Sequence, residues 1–400
     1  MKTKKCRIPA TSLVLVAFLV VAANVSAQSD RLAVFQSIFS DANLQTKLEL
    51  LRSAEREDPG EFGPLYRQAI NHVLDNSDRL RLEPMLREMA GIATDRIREG
   101  AYKQALPDLW RFFQVYDETS FRIQVLEVIG SVLPDTDAVG EELIDWVRRQ
   151  HSVSQAGGRP DLQVLATAVA TLGRLEDPRA YTVLLDTVLF QYPGFVTEPA
   201  RASLNRLDGD NLEFALNAIR NRPLLERRSV FNLLLREGNL GDQERLEMAR
   251  AVLSDSLAAT TADLMAQEEA RQLRNTAARV IREGAYAPAT PEVIRHFNQA
   301  VLEFERGRIS SGPLLEAIAT IGTMGNDEAG RRLTRYLDLV NVYTEEDRPY
   351  DTQIVLAVIG NLELLGYSGA YDSLFYTTFL ENYPRRVRDR ARQAAMSVVQ

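Results

Sequence analysis

A turn near the middle of the chain is written a second time near its end. Tyr192-Pro193-x-x-Val196-x-Glu198-x-Ala200-Arg201 returns as Tyr383-Pro384-x-x-Val387-x-Asp389-x-Ala391-Arg392, at a constant offset of 191. Ala180-Tyr181 and Ala370-Tyr371 lie upstream of the two copies. Leu172 to Leu207, around the first copy, reads as a helix, a tight turn and a second helix. A helix pair that recurs along a chain cannot bury its apolar face alone, and stacking on its neighbours buries it. That one feature restricts the fold more than any property of the composition.

Other segments recur as well. Gly173-x4-Pro178-x-Ala180-x3-Leu184 matches Gly322-x4-Asp327-x-Ala329-x3-Leu333 at an offset of 149. Ile97-Arg98-Glu99-Gly100-Ala101-Tyr102 returns as Ile281-Arg282-Glu283-Gly284-Ala285-Tyr286. Each of these ends a helical pattern, and the glycine is expected to take the left-handed cap conformation. Apolar residues recur at helical spacing throughout, with no alternating run that would make a strand. About twenty helices are expected. Asp161 and Asp177 stand where N-caps belong. The return helix after Tyr192-Pro193-Gly194 is expected over Pro199–Leu207. His151 to Pro160 is the most linker-like stretch, polar and rich in Gly and Pro.

The first residues stand apart. Lys2, Lys4, Lys5 and Arg7 precede an apolar run, Leu13 to Ala23, and then Val25-Ser26-Ala27. This is the pattern of a secretory signal peptide cleaved after Ala27, and the run is shorter than the roughly 20 residues of a membrane span. Cleavage takes the formal net charge from -8 to -12 and removes Cys6, the only cysteine. An acidic surface repels phosphate backbones, so nucleic acid is a poor partner. Without cysteine there are no disulfides and no thiolate metal sites. A periplasmic or secreted protein is expected, with no cofactor.

Leu172-Gly173-Arg174-Leu175-Glu176-Asp177-Pro178-Arg179-Ala180 resembles the first turn of a HEAT repeat, especially the bacterial type first noted in phycobilisome lyases. Ile321-Gly322-Thr323-Met324 with Asp327 and Ala329 fits nearly as well, and Val387-Arg388-Asp389-Arg390-Ala391 matches the opening of that family's second helix. Val196-Thr197-Glu198-Pro199-Ala200 departs from it at Thr197. The resemblance implies an all-α fold, a right-handed α-solenoid of HEAT-like antiparallel helix pairs. It is weak before Ser120, which suggests a signal peptide over 1–27, a divergent helical region over 28–117 and the repeat solenoid over 118–400. It implies a binding scaffold and brings no chemistry with it.

The residues point the same way. His72, His151 and His296 are far apart in sequence and form no metal-binding spacing, and each is expected to be a surface or satisfied helix residue. No phosphate loop, nucleophile elbow or His-Glu-x-x-His is present. Two constellations are candidates for a partner surface. Tyr371, Phe375 and Phe379 stand at i, i+4, i+8; such a stripe is ordinarily core, but facing outward it is a row of binding hot spots. Arg386 and Arg390 are i,i+4 neighbours among five arginines in eight residues, Arg385 to Arg392, either an anion-binding edge or the solvated face of a terminal helix. Trp110, Phe112, Phe113 and Tyr116 pose the same choice earlier. The expected function is a non-catalytic scaffold for protein partners in the periplasm or envelope. The alternative is an α/α-toroid polysaccharide hydrolase or lyase, which only two tryptophans and three histidines make less favoured.

Overall fold

The structure, a computed structural model, describes residues 31–132, 138–190, 192–207, 209–237, 239–348 and 350–399. The expected signal peptide lies outside the described residues. Among those residues the fold is all-α: twenty α-helices, four short 3-10 turns and no strand. The chain divides into two compact units, through Gly209 and from Asp210. The boundary expected at 117/118 falls inside the first unit, between two helices that pack on one another.

The first unit holds α1 (31–41), α2 (Leu44–Ala54), α3 (Gly63–Asp75), α4 (Pro84–Glu99), α5 (Leu106–Val115), α6 (Thr119–Val132), α7 (Ala138–Gln155), α8 (Leu162–Leu175), α9 (Tyr181–Leu189) and α10 (Gly194–Leu204). From α3 on, each odd-numbered helix packs on the even-numbered helix that follows it. The even-numbered helices pack in succession from α2 to α10, and the odd-numbered ones from α3 to α9. The unit is therefore two rows of helices with the apolar core between them. Leu65, Leu109, Leu126, Leu143, Leu165 and Leu184 are fully buried there, each side chain contributing about 2 kcal/mol.

The second unit repeats the scheme with α11 (Asn211–Arg220), α12 (Leu224–Glu237), α13 (Asp242–Ala258), α14 (Leu264–Glu283), α15 (Thr290–Glu305), α16 (Ser311–Gly322), α17 (Asp327–Glu345), α18 (Thr352–Leu365), α19 (Tyr371–Thr377) and α20 (Arg385–Ser397). Odd helices again stack on odd and even on even, and each odd-numbered helix packs on the even-numbered helix that follows it.

The recurring sequences have recurring geometry. At both Tyr-Pro turns the proline carbonyl accepts two N–H bonds, from Val196 and Thr197 in one and from Val387 and Arg388 in the other, at 2.9 and 3.3 Å in each. The tyrosine of each turn reaches back to a buried polar side chain of the odd helix of the previous pair, α7 in one case and α17 in the other. Tyr192 Oη lies 3.1 Å from His151 Nδ1, whose Nε2 is 3.1 Å from Thr187 Oγ1. Tyr383 Oη donates to Asn341 Oδ1 at 3.1 Å, and Asn341 Nδ2 donates to Thr377 Oγ1 at 3.1 Å. Asp161 and Asp351 cap α8 and α18 by accepting from the N–H groups of Gln163 and Gln353.

Three expectations need correction. The return helix begins at Gly194, not Pro199. Pro193 already supplies the first acceptor, and Pro199 sits inside α10. His151 to Gln155 is not linker. It is the last turn of α7, held by the buried His151 contacts. Gly100 and Gly284 keep right-handed φ values of -84° and -88°. The left-handed residues are Ala101 and Ala285, at φ 47° and 44°. Both ends close as Schellman motifs, Tyr102 N–H to Ile97 O and Tyr286 N–H to Ile281 O at 3.1 Å. The glycines serve close approach instead. A Cβ on Gly100 would stand 2.4 Å from Pro59 O, and one on Gly284 2.5 Å from a Leu246 methyl. At the Ile321-Gly322 turn, Asn326 caps α17 by accepting from Ala329 N–H.

Candidate functional site

The two aromatic stripes part company in three dimensions. Trp110, Phe112, Phe113 and Tyr116 are buried, and Trp110 and Phe113 stack at 4.8 Å. Phe113 meets Trp146 edge-on at 5.2 Å, and Trp110 Nε1 donates to Glu142. That cluster is core of the first unit.

Tyr371, Phe375 and Phe379 are exposed, at 38, 44 and 63%. On α19 it is Leu374 and Thr377 that turn inward, so the i, i+4, i+8 row faces out. The row is ordered by its own contacts. Tyr371 and Phe375 stack at 5.7 Å, and Phe375 and Phe379 meet edge-on at 5.0 Å. Tyr376, also exposed, donates to Glu345 of α17. An ordered row of exposed rings loses little side-chain entropy on binding, the property that makes aromatics effective anchors.

The two candidate arginines have different surroundings. Arg390 is half-buried and ion-paired to Glu363 of α18, so it holds α20 to its neighbour. Arg386 is exposed and has no ion pair among the described residues. Together with Arg385, Asp389 and Gln393 of α20 and Leu356 of α18, both line an open groove of about 610 Å³. Arg385 and Arg392 each make a loose pair with Asp389, at 3.5 and 3.8 Å. With one acid to share among them, the edge keeps net positive charge.

The histidines divide similarly. His151 is satisfied in the core. Burial first, and then Lys47, lower the pKa of His72. His296, expected to be a surface or satisfied residue, is only 2% exposed, and its Nδ1 has no hydrogen-bond partner. Burial, with Arg274 nearby, pushes its pKa down to about 3, so the ring is neutral. Beside it is a buried ion pair. Glu303 accepts from Arg274 Nη2 with both oxygens, at 2.8 and 3.0 Å, and from Gln299 at 2.8 Å and Arg271 at 3.3 Å. Burial alone would raise the pKa of Glu303; these donors outweigh it and hold the carboxyl below its ordinary value.

Sequence reasoning passed over His296, although a signal was present. Extending the Ile97/Ile281 match forward without a gap sets His296 on Phe112, a core aromatic. Among the described residues no cluster of His, Cys, Asp or Glu could hold a metal ion, and no helix is long and apolar enough to cross a membrane.

No family model matches the chain, and no curated protein does. Among solved structures, the chain is similar to an engineered protein solved as a structural-genomics target. That match has 14% identity over 90% of this chain and 100% of the other, with a TM-score of 0.28. A likeness that weak carries no argument about fold or function.

Proposed function

We propose that the chain is a non-catalytic, protein-binding scaffold of the bacterial periplasm or cell envelope, built as a right-handed α-solenoid of HEAT-like repeats. The leader-like residues 1–27 support the compartment. The two-row stacking of helix pairs in each unit supports the repeat reading. The observation that carries the binding function is the exposed, self-ordered row Tyr371, Phe375 and Phe379. An apolar row of this kind, on a helix packed against the arginine-rich α20, suits an acidic amphipathic helix of a partner protein. Its apolar side would lie on the rings and its acids against Arg385 and Arg386. Complementary charge at that basic edge would speed and orient the encounter.

The test compares capture from an envelope extract by the wild-type chain and by Tyr371→Ala/Phe375→Ala/Phe379→Ala. Truncating a hot-spot ring costs about 2 kcal/mol, roughly 30-fold in affinity. A polypeptide that wild type retains, and that both the triple variant and raised salt release, supports the reading. A triple variant that melts like wild type and retains every captured species refutes it.

A further inference from the structure

Consecutive even-numbered helices approach closely where a glycine permits it. A Cβ on Gly322 of α16 would stand 1.9 Å from Asn361 Oδ1 of α18. Between α14 and α16 the surface opens instead into a cleft of about 360 Å³. Asn275, Thr276, Arg279 and Arg282 line it from α14, Glu316 from α16 and His296 from α15. Arg282 is ion-paired with Glu316. Arg279 is exposed and has no ion pair among the described residues. His296, nine-tenths buried in the wall, leaves Nδ1 without a partner. The cleft thus holds one uncompensated positive charge among neutral polar groups.

The first unit shows what is missing. The match of Ile97–Tyr102 with Ile281–Tyr286, at an offset of 184, extends without a gap along α4 and α14 and through equal turns into α5 and α15. It sets Asp95 on Arg279, Arg98 on Arg282 and Phe112 on His296. In the first unit Asp95 accepts from Arg98 at 3.2 Å and from Gln124 Nε2 at 2.9 Å, and Phe112 fills the core. That unit supplies its own carboxylate to its own donors. The second unit puts an arginine where the carboxylate was and an imidazole where the phenyl ring was.

We propose that the cleft between α14 and α16 binds a carboxylate, with Arg279 as its charged anchor and Asn275 and His296 as neutral polar contacts. A guanidinium presents a planar fork that matches a carboxylate. A single excess charge matches a monoanion. With Arg282 and Glu316 taken up by each other, only one charge is left to balance, which disfavours the doubly charged form of phosphate. The carboxylate belongs either to a small organic acid or to the C-terminus of a peptide. Both present the same group, and this inference does not depend on the scaffold reading.

Saturation-transfer NMR on the full chain tests it with three observed probes, propionate, an acetylated tripeptide with a free C-terminal carboxylate and the same peptide as its amide, and with inorganic phosphate as a competitor, read by its displacement of the carboxylate signal. Saturable binding of either carboxylate, with the amide silent, is expected, and which of the two binds identifies the source. Arg279→Ala weakens binding tenfold or more without moving the melting transition. His296→Phe, which restores the first unit's residue, weakens it severalfold. No saturable binding of either carboxylate, undiminished binding in Arg279→Ala, or phosphate binding as tightly as carboxylate overturns the proposal.

Discussion

The neutral state of His296 has a measurable cost in acid. The folded protein holds this imidazole with a pKa of about 3, against 6.5 for the free side chain. The folded-state value is depressed, so the unfolded chain binds the extra proton. The stabilisation is complete above the unfolded value and is lost progressively as pH falls from 6.5 toward 3. Going from about pH 7 to about pH 5, linkage removes about 2 kcal/mol from the second unit, roughly 25-fold in its opening equilibrium. The His296→Phe variant has no such group to protonate. Both tryptophans, Trp110 and Trp146, lie in the first unit, so tryptophan emission would miss the effect. Hydrogen exchange of peptides from α14 to α16 reads it directly, after correction for the pH dependence of intrinsic exchange. Wild-type protection should fall roughly 25-fold more than that of the variant. Glu303 and His72 act with the same sign, but both are present in the two proteins and largely cancel. Equal losses in wild type and variant would refute the argument that the imidazole is buried and neutral.

Other consequences can be checked on stability alone. Ala101→Gly and Ala285→Gly relieve left-handed backbone at Schellman positions, and each should stabilise its unit by about 1 kcal/mol in urea titrations. Gly173→Ala would set a Cβ 2.1 Å from Ser203 Oγ and 2.8 Å from its Cα. A loss of about 1–3 kcal/mol, followed by tryptophan emission, is expected. Glu303→Ala strands Arg274, whose side chain is only 8% exposed. Hydrogen exchange over α14 and α15 should show a loss of about 3–5 kcal/mol.

Much of the fold was legible because its signals are local. Asp161 and Asp177 announce helix starts through bonds to N–H groups two residues on. The Tyr-Pro turn repeats because the proline carbonyl and the next four residues make it by themselves. The misreadings arose where distant residues decide. Gly100 is a glycine because of Pro59, some forty positions away, and nothing in its own helix reveals that. His151 looked like linker because polarity was read without the tyrosine and threonine that satisfy it. Periodicity could not separate the ring row on α19 from the Trp110 cluster, since both have helical spacing and burial depends on neighbours in space. His296 was recoverable from sequence, but only by treating a six-residue match as an alignment and asking which residue had changed.

The two buried polar clusters, His151 with Thr187 and Tyr192 and Asn341 with Thr377 and Tyr383, bear on how such a chain avoids folding wrongly. Helix pairs with similar apolar faces can stack out of order at little hydrophobic cost. A buried hydroxyl that meets a wrong neighbour loses its partner and about 1–3 kcal/mol with it. Each cluster therefore works as a key, accepting one predecessor and penalising the rest. Because the two keys use different central residues, imidazole in one unit and carboxamide in the other, helix pairs that share the same turn are marked as distinct, which discourages exchange of helices between them.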